Sequence, residues 1–125
     1  MKMRRILIVD DLEDVRDMLL EILSALGYEA QTANDGTEAL AKLESDPFDM
    51  LISDVKMPTM DGLSLLKSVK QQSPDFPVLL IAGHQSSVAL SEAVHCRADG
   101  FLQKPFRIEQ LSEAVQRALN GSNGR

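Results

Sequence analysis

Apolar runs of strand length alternate regularly along the chain with segments of helical periodicity, and this alternation limits the folds that the chain can adopt. Clear apolar runs lie at 6–9, 50–53 and 78–82, and weaker ones lie at 28–33 and 101–103. A segment of helix length follows each run after a short connection, which predicts five consecutive strand-helix units. Such units form a doubly wound parallel α/β sheet, because each crossover is right-handed and each strand is buried from two sides. A closed barrel of eight units would need about twice this length.

The helical segments carry their own start and stop signals. Gly27 predicts the end of the first helix, and Asp35 with Glu38 predicts a capping box at the start of the second. Asp61 precedes the third helix, and the Asn-Gly pair at 120–121 predicts the end of the fifth. Apolar spacings of three and four predict the inward faces, which comprise Val15, Met18, Leu19, Ile22 and Leu26 in the first helix, Leu63, Leu66 and Val69 in the third, Val88, Ala93 and Val94 in the fourth, and Leu111, Val115 and Leu119 in the fifth.

Length and composition are those of a single globular domain. The 125 residues, 44% hydrophobic and 26% charged, predict one domain over 1–120, followed at 121–125 by a flexible polar tail or the start of a linker. The net charge of −6 argues against direct binding to nucleic acid or to an anionic membrane, because both require clustered Lys and Arg. We find no apolar stretch of membrane-span length and no signal-peptide pattern. The single Cys96 cannot form an internal disulfide, which favours a reducing, cytoplasmic location.

The residues that follow the strands predict a site. Ligands of an open doubly wound sheet bind outside the carboxyl ends of the strands, where the strand order reverses. Asp10 and Asp11 follow the first strand, Asp54 follows the third, and Lys104 and Pro105 follow the fifth. If the strand order is 2-1-3-4-5, the first and third strands are neighbours and their three carboxylates converge on one crevice.

Three carboxylates in one crevice repel one another unless a cation lies between them. An oxygen-only ligand set without Cys or His indicates a hard ion, and Mg²⁺ bound through carboxylates and water is the natural candidate. Lys104 adds a point charge that can hold an anionic group. An aspartate in a site balanced in this way can act as a nucleophile toward phosphorus and form an aspartyl phosphate.

Each of these residues also has an ordinary structural explanation. A lone aspartate at a strand end is usually a turn or cap residue, and a Lys-Pro pair is common in turns. The stretch MPTMDG, in which Pro58 and Gly62 bracket a tight turn, is either a plain loop or a shaped wall of the site. Acidic ends on two strands together with Lys104 after a third favour the functional interpretation.

With these residues in place, the chain closely resembles the receiver domain of two-component response regulators over nearly its full length. The resemblance rests on the stretches ILIVDDLEDVR, DMLISDVKMPTMDG, FPVLLIAGH and ADGFLQKPF, which begin at residues 6, 49, 76 and 98. It implies a flavodoxin-like (βα)5 fold with the strand order 2-1-3-4-5 and a signalling domain that is not an enzyme. The implied phosphoryl donor is a histidine kinase or a phosphotransfer protein.

Carried over to the matching positions, the resemblance also implies a role for each site residue. Asp54 would accept the phosphoryl group, and Lys104 would contact it. Asp10 and Asp11 would hold Mg²⁺ together with Asp54 and the backbone carbonyl of Lys56. The surface of the fourth helix, fifth strand and fifth helix would meet partners or form a homodimer.

The fourth strand departs from the family pattern. The family carries Thr or Ser where this chain has Ala82, and that hydroxyl moves to the phosphoryl group while an aromatic, here Phe101, changes its rotamer. We expect Asp54 to be phosphorylated still, with its coupling to Phe101 weakened or rerouted through the backbone N–H of Gly83.

Two further positions and two other functions complete the expectations. Lys56 and His84 match variable positions that tune how long the phosphoryl group survives. A solvated loop residue explains Lys56 equally well, and a residue such as His84 is more often simply an exposed loop residue. One competing function is a pseudo-receiver, a protein-binding module largely independent of phosphorylation, which Ala82 favours and the acidic residues with Lys104 oppose. The other is an enzyme or flavin carrier, whose phosphate would need a Gly-, Ser- or Thr-rich loop where this chain has DDLED.

Overall fold

Five parallel strands and five helices alternate along the part of the chain that the computed structural model describes, which is residues 3–57, 60–83 and 87–123, with the backbone alone for 87–90 and 122–123. The strands are β1 (Arg5–Val9), β2 (Glu29–Ala33), β3 (Met50–Asp54), β4 (Val78–Ala82) and β5 (Gly100–Gln103). The helices are α1 (Glu13–Ala25), α2 (Gly36–Ser45), α3 (Gly62–Gln72), α4 (Ser87–His95) and α5 (Ile108–Asn123). The sheet order is β2-β1-β3-β4-β5, which confirms the predicted fold and strand order.

The sheet has a hydrophobic core on each face, because successive side chains of a strand point to opposite sides. One core unites Leu7, Val9, Leu51 and Leu80 with Leu65, Leu66 and Val69 of α3. The other unites Ile6, Ile8, Ile52 and Ile81 with Leu19 and Leu23 of α1 and Leu111 and Val115 of α5. Burial on both faces explains why the three clear strands are continuous apolar runs instead of alternating ones.

The buried faces of two helices differ from the sequence prediction. In α1 the buried residues are Leu19 and Leu23, whereas Met18 and Leu26, predicted to face inward, are 44% and 38% exposed. In α4 Ala93 is buried and Val94 is 69% exposed, while the side chain of Val88 lies outside the described residues. A helix that covers an open sheet buries only a narrow stripe, so apolar residues at the margins of the stripe face solvent.

The predicted caps of the first two helices are present. Gly27, with φ of 98°, ends α1 in a Schellman motif: its N–H donates to Ser24 and the N–H of Tyr28 donates to Leu23. At the start of α2, the Asp35 carboxylate accepts a 2.8 Å hydrogen bond from the N–H of Glu38.

The capping box of α2 closes one residue earlier than predicted, since the Glu38 carboxylate accepts the N–H of Asn34 at 2.8 Å. The end of α5 also differs from the prediction: the helix continues through Asn120 and Gly121 to Asn123. A glycine costs a helix only about 1 kcal/mol relative to alanine, so the Asn-Gly pair does not force a stop. Within the described ranges, none of the helices combines the length and apolar composition needed to cross a bilayer.

Candidate functional site

The candidate site lies where β1 and β3 end side by side. Asp54 is the last residue of β3, and Asp10 directly follows β1. The two strands pair in a register that sets Val9 opposite Ser53, which brings the next residue of each strand to the same level of the sheet edge. The predicted convergence of the two strand ends is therefore a direct consequence of the strand order.

The carboxylates at this edge form a compact oxygen cluster. Asp10, Asp11 and Asp54 each place one carboxylate oxygen within 4.8 Å of the others. Asp10 and Asp54 are 1% and 7% exposed, whereas Asp11 faces solvent. The cluster thus has two buried carboxylates and an accessible third, a geometry that leaves one side open to an incoming group.

Lys104 closes the cluster from β5. Its Nζ lies 3.2 Å from Oδ1 of Asp54 and 3.9 Å from Oδ2 of Asp10. The backbone N–H of Lys104 donates a 2.7 Å hydrogen bond to the carbonyl of Ala82, and the Lys104–Pro105 peptide bond is cis. One ammonium therefore lies beside the two inner carboxylates of the cluster.

Burial dominates the protonation of the two inner carboxylates. Desolvation raises the pKa of Asp54 above its ordinary value of 3.8, although the nearby charge and hydrogen bond of Lys104 act to lower it. Burial likewise raises the pKa of Asp10, with the charge of Asp54 adding to the increase and the N–H of Leu12 opposing it. With three carboxylates and one nearby ammonium, the cluster carries an excess of negative charge.

Several neighbours hold the inner aspartates in place. The N–H of Leu12 donates to Oδ1 of Asp10 at 2.9 Å, and the Arg16 guanidinium donates to the Asp10 carbonyl at 2.7 Å. The hydroxyl of Ser53 donates to the carbonyl of Asp54 at 2.9 Å. Arg16 and Ser53 are not among the predicted site residues, and only their proximity in sequence to Asp10 and Asp54 signals these contacts.

Gly62 allows α3 to begin directly against β3. A Cβ at this position would lie 2.3 Å from the backbone carbonyl oxygen of Asp54, and the N–H of Gly62 donates to the carbonyl of Val55 at 2.8 Å. Asp61 caps α3 through a 2.8 Å hydrogen bond from the N–H of Ser64. The Asp-Gly pair of MPTMDG thus sets the close approach of α3 to the end of β3, whereas Pro58 lies outside the described residues.

The remaining predicted residues line the rim or the adjoining core. Lys56 is exposed and shares an open pocket with Asp11, Met57 and Asp61. Ala82 is 3% exposed, and Phe101 packs against the same core cluster as Ala82. Gly83 is exposed, directly after β4, whereas His84 lies outside the described residues.

Comparison with known proteins identifies the family of the chain. The family model described as "Response regulator receiver domain" matches residues 6–116. The chain belongs to the response regulator receiver domain family. This receiver domain is 39% identical over 113 residues to the DNA-binding transcriptional regulator NtrC of Salmonella typhimurium, covering 90% of the domain and 24% of NtrC. It is 40% identical over 115 residues to the response regulator MprA of Mycobacterium avium, covering 92% of the domain and 50% of MprA. The domain therefore spans at most half the length of these two curated relatives.

Solved structures share the fold over nearly all of the receiver domain. The chemotaxis protein CheY4 of Vibrio cholerae superposes with a TM-score of 0.88 at 41% identity, covering 94% of this chain and all of that one. A CheY-like receiver domain protein of Methanospirillum hungatei gives a TM-score of 0.92 at 30% identity, covering 98% of both chains. Residues 6–116, which the family model matches, include Asp10, Asp11, Asp54 and Lys104.

The cluster suits a hard divalent cation. Its donors are carboxylate oxygens, the ligands that Mg²⁺ prefers, and Asp11 leaves one side of the cluster accessible to solvent. The raised pKa of Asp10 and Asp54 also indicates that a second positive charge would stabilise their ionised forms. Asp10, Asp11 and Asp54 can therefore hold such an ion.

Proposed function

We propose that this receiver domain takes a phosphoryl group on Asp54 from a phosphohistidine of a histidine kinase or phosphotransfer protein. The observation that carries the proposal is the oxygen cluster of Asp10, Asp11 and Asp54, with the Lys104 ammonium 3.2 Å from Asp54. An Asp54 oxygen bonds to phosphorus, the phosphorus–nitrogen bond breaks, and the histidine ring nitrogen leaves with the electron pair. The domain accepts a group from its donor and is not proposed to be an enzyme.

The charged residues of the site have separate proposed roles in binding the metal ion and the phosphoryl group. Asp10 and Asp11 hold Mg²⁺ with Asp54 and, as the family resemblance implies, the backbone carbonyl of Lys56. The ion, when bound, offsets the negative charge of the carboxylates and of the phosphoryl oxygens. Lys104 holds a phosphoryl oxygen, because its ammonium already lies beside Asp54 at the open edge of the sheet.

The fourth strand is proposed to weaken the switch without weakening the chemistry. Ala82 provides no hydroxyl for a phosphoryl oxygen, so a hydrogen bond to a charged acceptor worth about 1.5 to 3 kcal/mol is missing. Ala82 and Phe101 lie in the same core, which makes Phe101 the side chain that would lose this coupling. The backbone N–H of Gly83 is the alternative donor.

The state of Asp54 is proposed to be read on the surface of α4, β5 and α5. Val94 on α4 and Ile108 at the start of α5 are both exposed, which gives this surface apolar contacts for a partner or a second copy of the chain.

Lys56, exposed beside Asp11, is proposed to slow hydrolysis of the aspartyl phosphate by screening it from water. Equal phosphoryl lifetimes in the wild type and Lys56→Ala would remove that role. His84 is proposed as a second position that tunes the lifetime of the phosphoryl group. The cytoplasm is proposed as the location of the domain.

A phosphoryl mimic tests the proposal directly. Beryllofluoride with Mg²⁺ is expected to raise the thermal midpoint of the wild type, since a ligand that binds only the folded state stabilises it. Neither component alone should match this increase, and Asp54→Asn should abolish it. An equal increase in Asp54→Asn would reject Asp54 as the acceptor.

The second candidate is the pseudo-receiver, which the absence of a hydroxyl at Ala82 favours. It predicts that wild type shows no Mg²⁺-dependent response to beryllofluoride although the fold is intact. The two candidates therefore give opposite results in the same measurement.

A further inference from the structure

A basic pocket lies on the opposite side of the domain from the acidic cluster, where the C-terminal ends of α3 and α4 meet. The pocket is open, has a volume of about 290 Å³, and is lined by Lys67, Lys70, Gln71, His95, Cys96 and Arg97. No carboxylate lines it, although the chain carries 19 acidic residues, all of which lie within the described ranges. A pocket with three cationic side chains is unexpected in a chain of net charge −6.

Asp99, the acidic residue nearest to Arg97 along the chain, pairs with only one of the three cations of this pocket. Asp99 is engaged by Lys70, whose Nζ lies 2.7 Å from the Asp99 carboxylate and 2.7 Å from the carbonyl of Phe76. Asp99 also accepts the N–H of Val78 at 2.8 Å. These contacts hold the Lys70 side chain in place, and the Asp99 carboxylate already neutralises its charge.

Lys67 and Arg97 supply the positive charge of the pocket that a ligand can use. Both side chains are exposed, and among the described residues neither makes an ion pair. They come from different helices, so together they present two separate cationic groups to a single ligand. Gln71 adds an amide that can donate to and accept from a peptide backbone.

The backbone conformation at Arg97 favours a glycine over an arginine. Arg97 has φ of 71°, and its N–H and that of Ala98 donate to the carbonyls of Val94 and Ala93, completing a Schellman motif at the end of α4. α1 ends in the same motif, but there the left-handed position is held by Gly27. Left-handed dihedrals are disfavoured for a residue with a Cβ, so glycine would stabilise the end of α4 better.

The helix dipole explains only part of this charge. A cation near a helix C-terminus interacts favourably with the dipole, which accounts for basic residues such as His95 and Arg97 at the end of α4. Lys67 lies more than one turn before Gln72, the last residue of α3, where this interaction has faded.

We propose that this pocket binds an acidic segment of a partner protein, with carboxylates of the segment paired to Arg97 and Lys67. The helix ends that form the pocket present carbonyls, not N–H groups, so a compact phosphate would find no backbone donors there. Carboxylates on an extended segment reach the tips of the two basic side chains instead, and Gln71 pairs with the backbone of the segment. The proposal does not rest on phosphorylation of Asp54.

Fluorescence anisotropy with a labelled hexaglutamate peptide tests the proposal, with hexaglutamine as the uncharged control peptide. We expect saturable binding of hexaglutamate alone, weakening as NaCl is raised from about 50 to 200 mM. Arg97→Gly and Lys67→Gln should each weaken binding by about three- to tenfold. Arg117→Gln removes an exposed cation from α5 and should leave binding unchanged, as should Asp54→Asn.

A stability measurement on the same variants separates binding from folding. Arg97→Gly should raise the denaturation midpoint while it weakens binding, because glycine suits the left-handed position better. The proposal is overturned if hexaglutamate and hexaglutamine bind alike, if inorganic phosphate at equal concentration displaces the peptide, or if Arg97→Gly binds as tightly as the wild type. A lowered midpoint in Arg97→Gly would equally contradict it, since Arg97 would then be serving the fold.

Discussion

The Nζ of Lys104 lies 3.2 Å from Oδ1 of Asp54, a contact between the ends of β5 and β3. These strands are not neighbours in the sheet, since β4 separates them. β4 ends at Ala82, whose carbonyl accepts the Lys104 N–H at 2.7 Å. A small residue thus ends the strand that lies between the strands of the two charged partners.

Replacing Lys104 with Met should destabilise the domain at neutral pH when divalent ions are absent. The substitution leaves two buried carboxylates without their ammonium partner, and we expect a loss of about 1 to 3 kcal/mol. Urea denaturation in the presence of a chelator measures it. Lys56→Met removes an exposed lysine from the same rim and should stay within about 0.5 kcal/mol of the wild type. Equal losses in the two variants would refute a stabilising contact between Lys104 and the cluster.

Replacing Asp54 with Asn should stabilise the domain at neutral pH and flatten its pH dependence. The pKa of Asp54 is raised in the folded state, so the folded domain holds the proton more tightly than the unfolded chain does. Its contribution to stability is therefore full below the ordinary pKa of 3.8 and is lost as pH rises through the higher folded pKa. Asn does not ionise and so avoids the loss of stability that accompanies ionisation of the buried carboxyl. We expect its free energy of unfolding to exceed that of the wild type by about 1 to 2 kcal/mol at pH 7 without Mg²⁺. Denaturation from pH 4 to pH 8 gives the comparison, and a less stable Asp54→Asn at pH 7 would contradict the assigned burial cost.

Replacing Gly62 with Ala should be strongly destabilising. The added methyl group would lie 2.3 Å from the carbonyl oxygen of Asp54, and backbone on both sides cannot yield without moving α3 from β3. We expect a loss of about 2 to 3 kcal/mol in the free energy of unfolding. Gly121→Ala, where nothing lies within 4 Å of the new methyl group, is the matched control and should be neutral or slightly stabilising. A neutral Gly62→Ala would show that the close approach is absent.

Replacing Ala82 with Thr should strengthen the response of the domain to a phosphoryl mimic. Thr supplies the missing hydroxyl, and we expect the population shift on addition of beryllofluoride and Mg²⁺ to grow by about tenfold or more. Amide hydrogen exchange across β5 and α4 measures the response. Ala82→Val has nearly the shape of Thr without its hydroxyl, so it should respond as the wild type does. Identical responses of the Thr and Val variants would eliminate the hydroxyl as the limiting element.

The sequence predicted the strand order, the capped starts of α2 and α3 and the convergence of four charged residues at one edge of the sheet. It could do so because two-sided burial leaves continuous apolar runs and the polar residues at their ends stand out. Which apolar residues of a helix face inward was less predictable: Met18, Leu26 and Val94 match helical spacing yet remain exposed. Helical spacing admits more than one stripe, and the position of the helix on the sheet selects among them.

Tertiary contacts account for the rest of what the sequence did not reveal. The roles of Arg16 and Ser53 depend on hydrogen bonds to the backbone carbonyls of the site, which have no side-chain signature. The left-handed backbone of Arg97 occurs where sequence rules would expect Gly or Asn.

We propose above that Asp54 accepts a phosphoryl group in a reaction that depends on Mg²⁺. Intact-mass spectrometry after incubation with acetyl phosphate tests this reaction. We expect the wild type to gain the mass of one phosphoryl group with Mg²⁺ and none with a chelator. Asp35→Asn, which keeps a good helix cap, should be modified as the wild type is. Asp54→Asn should gain nothing, and an unmodified wild type or a modified Asp54→Asn would contradict the claim.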